Sequence, residues 1–220
     1  MYSKNAWEKY SNEEFQNVMK FNEDYKDYIS KGKTERKCVD LAVAIAEANG
    51  FKELSTFTSL NKGDKVYVTN KNKNFAAFVI GEEGLENGLR VLGAHIDSPR
   101  LDIKQNPLYE KNGFTLLDTH YYGVVKKYQW VTIPLALYGV VCKKDGTIIN
   151  IEIGDDPADP VVGISDLLIH LAGDQLQKTA AKVIEGEDLD ITLGNMPSKD
   201  AEKDKVKTYI LNLLNEKYDF

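Results

Sequence analysis

Apolar residues recur first at helical spacing and then at strand spacing. Phe15, Val18, Phe21, Tyr25, Tyr28 and Ile29 fall on one face of a helix. Ser11, with Glu14 three residues on, has the form of a capping box, and Gly32 supplies a stop. Thr34 caps a second predicted helix with Leu41, Ala42, Ile45 and Ala48 turned inward, ending at Asn49-Gly50. Lys65–Thr69 and Ala76–Ile80 read as strands, and Asn70–Asn74 between them reads as a hairpin loop. Gly81-Glu-Glu-Gly84 then leads to a strand predicted to end at His95. A helix-helix-hairpin-strand order predicts the start of a layered α/β domain.

The pattern changes near Leu101. From there to about Glu152, aromatic and β-branched residues dominate and helix signals are few. Lys144-Asp-Gly146 predicts a tight turn between Tyr138–Cys142 and Ile148–Ile153, and Asp155–Pro160 is a loop by composition. Ser165 is read as the cap of a helix through Leu167, Leu168, Leu171 and Leu176. A last amphipathic helix places Val206, Tyr209, Ile210, Leu213 and Leu214 on one stripe. A boundary near Leu101 divides the chain into 1–100 and 101–220.

Composition narrows the function classes. Hydrophobic residues make up 42% and charged residues 28%, an ordinary globular balance. A net charge of −6, with lysines scattered among acidic residues, gives no reason to expect nucleic-acid or anionic-membrane partners. No apolar run approaches the ~20 residues of a membrane helix, and the amino-terminal residues do not read as a signal peptide. Two isolated cysteines, Cys38 and Cys142, predict buried thiols in a reducing cytoplasm. The serine-nucleophile elbow, phosphate-binding glycine loop, His-Glu-x-x-His and Cys-x-x-Cys patterns do not occur.

One pattern carries chemistry. In Val91-Leu-Gly-Ala-His-Ile-Asp-Ser-Pro-Arg-Leu-Asp102, a histidine is followed two residues later by a carboxylate. In extended backbone the two side chains share a face. His95 could then bind a metal while Asp97 orients the imidazole or a reacting water. A lone histidine at a strand end is otherwise a hydrogen-bonded structural residue. Asp102 is a weaker candidate, since its odd offset from Asp97 puts it on the other face.

The longer run through Lys104 resembles the M18 metallo-aminopeptidases, the aspartyl aminopeptidase and aminopeptidase I group. Asn106–Glu110, Thr119–Gly123, Lys126–Trp130, Pro134–Val140, Ile164–Leu171 and Glu185–Gly194 extend the likeness over nearly the whole chain. The resemblance implies an α/β fold: a layered zinc-peptidase-like catalytic domain, incomplete here, with an inserted β-rich dimerisation domain. It assigns 1–100 to the amino-terminal part of the catalytic domain and 101–220 to the insertion. It implies a zinc-dependent aminopeptidase with two zinc ions per active site in the complete enzyme, releasing amino-terminal residues from peptides. His95 would be a metal ligand, Asp97 its supporting catalytic carboxylate, and His170 a catalytic histidine reaching a neighbouring subunit's site. Partners would be peptide substrates and further copies of the chain, as a dimer and as a dodecamer.

Family members are about twice this length, and most ligands and the glutamate base lie downstream of the matched motifs. The chain is therefore read as a first half, expected to be inactive alone. The alternative is a non-catalytic assembly module. A third reading, a mononuclear zinc site from His95, Asp97 and His120 or His170, suffers from a short donor list. His120, in Thr-His-Tyr-Tyr-Gly, is otherwise a packing or subunit-contact residue. Val124 stands where the family commonly has a second glycine.

Overall fold

The computed structural model describes residues 4–219, so the first three residues read against a signal peptide lie outside the described residues. The chain divides into two compact units, Met1–Ser98 and Pro99–Phe220.

The first unit opens with α1 (Asn12–Lys31), where the Ser11 hydroxyl accepts from the Glu14 N–H and the Glu14 carboxylate accepts from the Ser11 N–H. The predicted capping box is therefore formed. The apolar face of this helix is left uncovered: α1 buries no residue, and Phe21 is 72% exposed. Helix α2 (Glu35–Ala48) starts at Thr34, as expected, but buries Cys38, Val39 and Ala46 while Ile45 faces solvent. The face is rotated because the helix packs on the hairpin formed by β2 (Lys65–Asn70) and β3 (Asn74–Val79), a tertiary choice that periodicity alone does not fix.

Strands β1 (Lys52–Glu53), β2 and β3 form a three-stranded sheet in that order. β2 and β3 are antiparallel in the predicted hairpin, and Lys71 and Asn72 turn the loop at positive φ. The further strand expected to end at His95 does not form: residues 88–99 have no ladder partner among the described residues. Alternation encodes which way side chains point. A strand also needs a neighbour for its N–H and C=O groups.

The second unit is built on a five-stranded sheet, in the order β4 (Arg100–Lys111), β5 (Phe114–Tyr122), β10 (Ile191–Gly194), β9 (Val162–Gly163), β6 (Pro134–Leu135). β4 and β5 form a long antiparallel ribbon, turned by Asn112-Gly113. Both turn residues have positive φ, which suits the right-handed twist of the strands. β10 pairs antiparallel with β5, and β9 joins it to β6. Leu117, Val131, Val162, Ile164, Ile184, Leu189 and Ile191 form the core, with Trp130 packed against it.

The predicted hairpin at Lys144-Asp-Gly146 is formed by β7 (Leu137–Cys142) and β8 (Ile148–Ile153). Cys142, expected to be buried, is exposed at the end of β7, whereas Cys38 is buried as expected. Helix α3 (Lys205–Tyr218) follows the predicted stripe through Val206, Tyr209, Ile210 and Leu214, with Leu213 exposed. Its first turn is capped from a distance: the Val206 and Lys207 N–H groups donate to Glu110 at 2.9 and 3.1 Å.

The predicted helix at Ser165–Gln177 is replaced by two 3-10 turns, Ile169–Leu171 and Gln175–Gln177. Asp166 uses one carboxylate oxygen to accept from the Leu167 N–H and the Gln175 side chain, both at 2.8 Å. That local loop competes with helix formation, and Gly173 weakens the helix further.

Candidate metal-ligand site

His95 and Asp97 lie in the first unit, on the irregular stretch that follows the 3-10 turn Leu85–Asn87. The imidazole Nδ1 lies 2.9 Å from the Asp97 carbonyl oxygen and 3.0 Å from its carboxylate. The two side chains thus meet, although not through strand pairing. Both partners of Nδ1 are acceptors. A proton on Nδ1 satisfies them, which leaves Nε2 as the basic nitrogen of the neutral ring. The His95 side chain is 84% exposed and that of Asp97 37% exposed. Nε2 is therefore a presented lone pair on a ring whose tautomer is set from behind, the arrangement a metal-binding imidazole needs.

The remaining predicted residues belong to the second unit. His170 sits exposed on the 3-10 turn Ile169–Leu171, amid the exposed side chains of Leu168, Ile169 and Leu171, and not on an α-helix. His120 lies on β5 opposite Asp102 and stacks on Tyr121 at 5.4 Å between ring centroids. Val124 is fully exposed beside Gly123, whose φ of +81° provides the bend.

Arg100 carries no role in the sequence reading, yet it is firmly engaged. Its Nε donates to the Asp102 carboxylate at 2.7 Å, and its guanidinium lies 4.1 Å from the Tyr122 ring centroid. Arg100 and Tyr122 are register partners in the β4–β5 ribbon. A signal existed: Arg100 and Asp102, two apart in a strand, share a face. The aromatic partner emerges only from the register.

Residues 28–220 match the family described as aminopeptidase I zinc metalloprotease (M18). The chain belongs to the M18 family. It is 53% identical over 221 residues to a probable M18 family aminopeptidase 1 of Clostridium acetobutylicum, covering 98% of this chain and 48% of that protein. The crystal structure of an M18 aminopeptidase from Thermotoga maritima superposes with a TM-score of 0.92 at 42% identity, over 100% of this chain and 48% of the other. Aminopeptidase I from C. acetobutylicum gives 0.86 at 49% identity, over 100% and 50%. The chain spans about half the length of the curated relatives it matches. A Saccharomyces mApe1 dodecamer shares the fold at a TM-score of 0.63 and 21% identity, over 91% and 44%.

The family's zinc can be tested against these residues. His95, backed by Asp97, fits one ligand arm of a zinc site. Among the described residues no group of three or more His, Cys, Asp or Glu side chains gathers to hold a metal. The mononuclear reading built on His95, Asp97 and His120 or His170 therefore gains no support. Among the same residues no helix is long and apolar enough to cross a membrane.

Proposed function

We propose that this M18 chain serves a zinc-dependent aminopeptidase that removes the amino-terminal residue of peptides. The observation that carries the reading is the His95–Asp97 pair, with Nδ1 engaged and Nε2 presented. His95 is the metal ligand. Asp97 fixes the tautomer and raises the basicity of the ring. When bound, zinc supplies Lewis acidity and lowers the pKa of a coordinated water. The complete site holds two zinc ions, and residues beyond the single His95 arm supply the other ligands and the general base.

Residues 1–100 then act as the amino-terminal part of the catalytic domain and 101–220 as an inserted dimerisation domain. The apolar side chains exposed around His170 support that second role. His170, on its protruding turn, serves the site of a neighbouring copy by binding substrate or stabilising the oxyanion. Self-association as a dimer, and as a dodecamer like the yeast mApe1 assembly, follows the same reading. The free thiols of Cys38 and Cys142 accord with a cytoplasmic setting. The alternative, a non-catalytic assembly module, draws on the incomplete ligand cluster among the described residues.

Zinc stoichiometry and release of amino-terminal residues from peptides, measured together on wild type and His95→Ala, separate the readings. In the active enzyme His95→Ala should lose one metal and nearly all turnover. Full metal content with near-normal turnover would remove His95 from the site. For residues 1–220 alone the expectation is weak zinc binding and no turnover; measurable metal-dependent turnover there would show a complete ligand set.

A further inference from the structure

Helix α1 has a formed cap and 20 residues, yet it buries none of them. Phe21, Tyr25 and Ile29 follow one another at four-residue steps, so their side chains make one row about 12 Å long on the helix. They are 72%, 54% and 48% exposed. Helix α3, with 14 residues, buries Val206 and half-buries Tyr209 and Ile210. A surface helix normally turns such a row onto other protein, because packing of the apolar face supplies most of its stability. The far side of α1 is polar: Lys20 is exposed, and Glu23 and Asp27 pair with Lys26 and Lys31. Anchors at i, i+4 and i+8 with a charged back are the pattern of a helix laid into an apolar groove.

The occupant follows from length. The fold of this chain, α1 included, recurs over its whole extent in the Thermotoga maritima aminopeptidase, where it accounts for 48% of the chain. A protein of this family therefore carries about as much polypeptide again beside this fold. We propose that the Phe21-Tyr25-Ile29 row is the docking surface for the other half of an M18 aminopeptidase, a polypeptide presenting an apolar groove for two aromatic rings and an isoleucine. The proposal rests on the functional reading above, in which that half supplies the remaining zinc ligands and the general base. A second copy of this chain is the rival occupant. The self-association proposed above falls to residues 101–220 and leaves this row uncovered.

The test co-expresses the full chain with the half of the Clostridium acetobutylicum aminopeptidase 1 that this chain does not match. A one-to-one complex should purify, and amide exchange at Phe21–Ile29 should slow about tenfold against the chain alone. Phe21→Asp should leave the fold intact, since α1 buries nothing there, and should weaken the complex about thirtyfold, the loss of one central anchor. Lys20→Asp sets the same carboxylate on the far side of α1 and should leave the affinity within about twofold.

Failure of the two polypeptides to associate, no loss in Phe21→Asp, or an equal loss in both variants would overturn the proposal. So would protection of α1 in the chain alone that Phe21→Asp abolishes, which would give the row to a second copy. If the second half stays insoluble, α1 exchange in the intact C. acetobutylicum enzyme decides, and rates as fast as in this chain alone would overturn the docking. Peptide turnover with zinc is read on the same complex. A complex that forms as described but releases no amino-terminal residues fails the aminopeptidase reading and leaves the docking surface standing. Turnover with unchanged affinity in Phe21→Asp does the reverse.

Discussion

In residues 99–219, Leu189 is 0% exposed within a core cluster of seven buried side chains; in residues 4–98 the 20-residue α1 buries none. The contacts that hold the second unit are long in sequence. Thr119 donates to the Leu189 carbonyl at 2.6 Å across 70 residues, and Glu110 caps α3 across 96 and 97. In α1 the fixing contacts are short: a capping box spanning three residues, and the Lys26–Glu23 and Lys31–Asp27 pairs at three and four. One unit is stabilised by burial that sequence-distant segments create together. In the other, the best-formed helix depends on its own ends. The candidate ligand motif belongs to that unit, and the contact of His95 with Asp97 is likewise short, two residues along the chain.

The largest expected effect lies in the buried unit. Leu189→Ala should cost about 3 kcal/mol, the transfer loss plus the cavity left in a cluster that cannot close on it. Urea unfolding followed by the fluorescence of Trp130, which packs on the cluster, would measure it. A loss under about 1 kcal/mol would show that the cluster relaxes freely. The contrast between the two units would then weaken.

The same contrast explains what could be read from sequence. Caps and tight turns are local chemistry, so Ser11, Thr34, the Asn70–Asn74 loop and Lys144-Asp-Gly146 were all placed correctly. Buried faces were less secure, because α2 turns Val39 inward and Ile45 outward according to what it packs against. The strand leading to His95 failed for a related reason. Its apolar run Val91-Leu-Gly-Ala94 is strand-like, but pairing depends on a neighbour that no local pattern encodes. At Ser165 the helical spacing was outcompeted by the hydrogen bonds of Asp166. For the candidate site, the His-x-Asp spacing announced the His95–Asp97 contact. The engagement of Arg100 with Tyr122 depends on a register that shifts between Ile103 and Leu108, away from the one the Asn112-Gly113 turn sets.

A smaller effect probes the local side of the comparison. Ser11→Ala should cost the first turn of α1 about 1 kcal/mol, the usual worth of an N-cap side chain. Because α1 buries no residue, that loss should appear as fraying rather than global unfolding. Amide exchange at Glu14, whose N–H donates to Ser11, should quicken severalfold while that of the β5 core stays constant. Equal slowing or quickening at both places would mean that α1 is held by more than its ends.

The smallest effect is acid fraying of the same turn. The Ser11 backbone N–H, 2.7 Å from the Glu14 carboxylate, is the main cause holding that carboxyl below its ordinary value of 4.5, and the Ser11 hydroxyl adds to it. The folded pKa is depressed, so the capping box contributes its full stability above the unfolded value. It loses that contribution as pH falls through the folded value. Asp159 in the other unit is lowered in the same sense, first by the Lys217 ammonium and then by the Gly154 N–H. It sits at a pair that ties α3 to the loop after β8, not at the unit's core. Lowering the pH from about 6 to about 3, across the carboxylate range, should therefore quicken exchange at Phe15, whose N–H donates to the Ser11 carbonyl at 2.9 Å. Once intrinsic exchange rates are allowed for, amides around Thr119 should hold their protection over the same range. Glu14→Gln keeps the length and an acceptor oxygen but has no proton to take up, so the acid step at Phe15 should vanish in that variant. A step of unchanged size in Glu14→Gln would assign the fraying to another carboxylate and leave the capping box without a measurable share in α1.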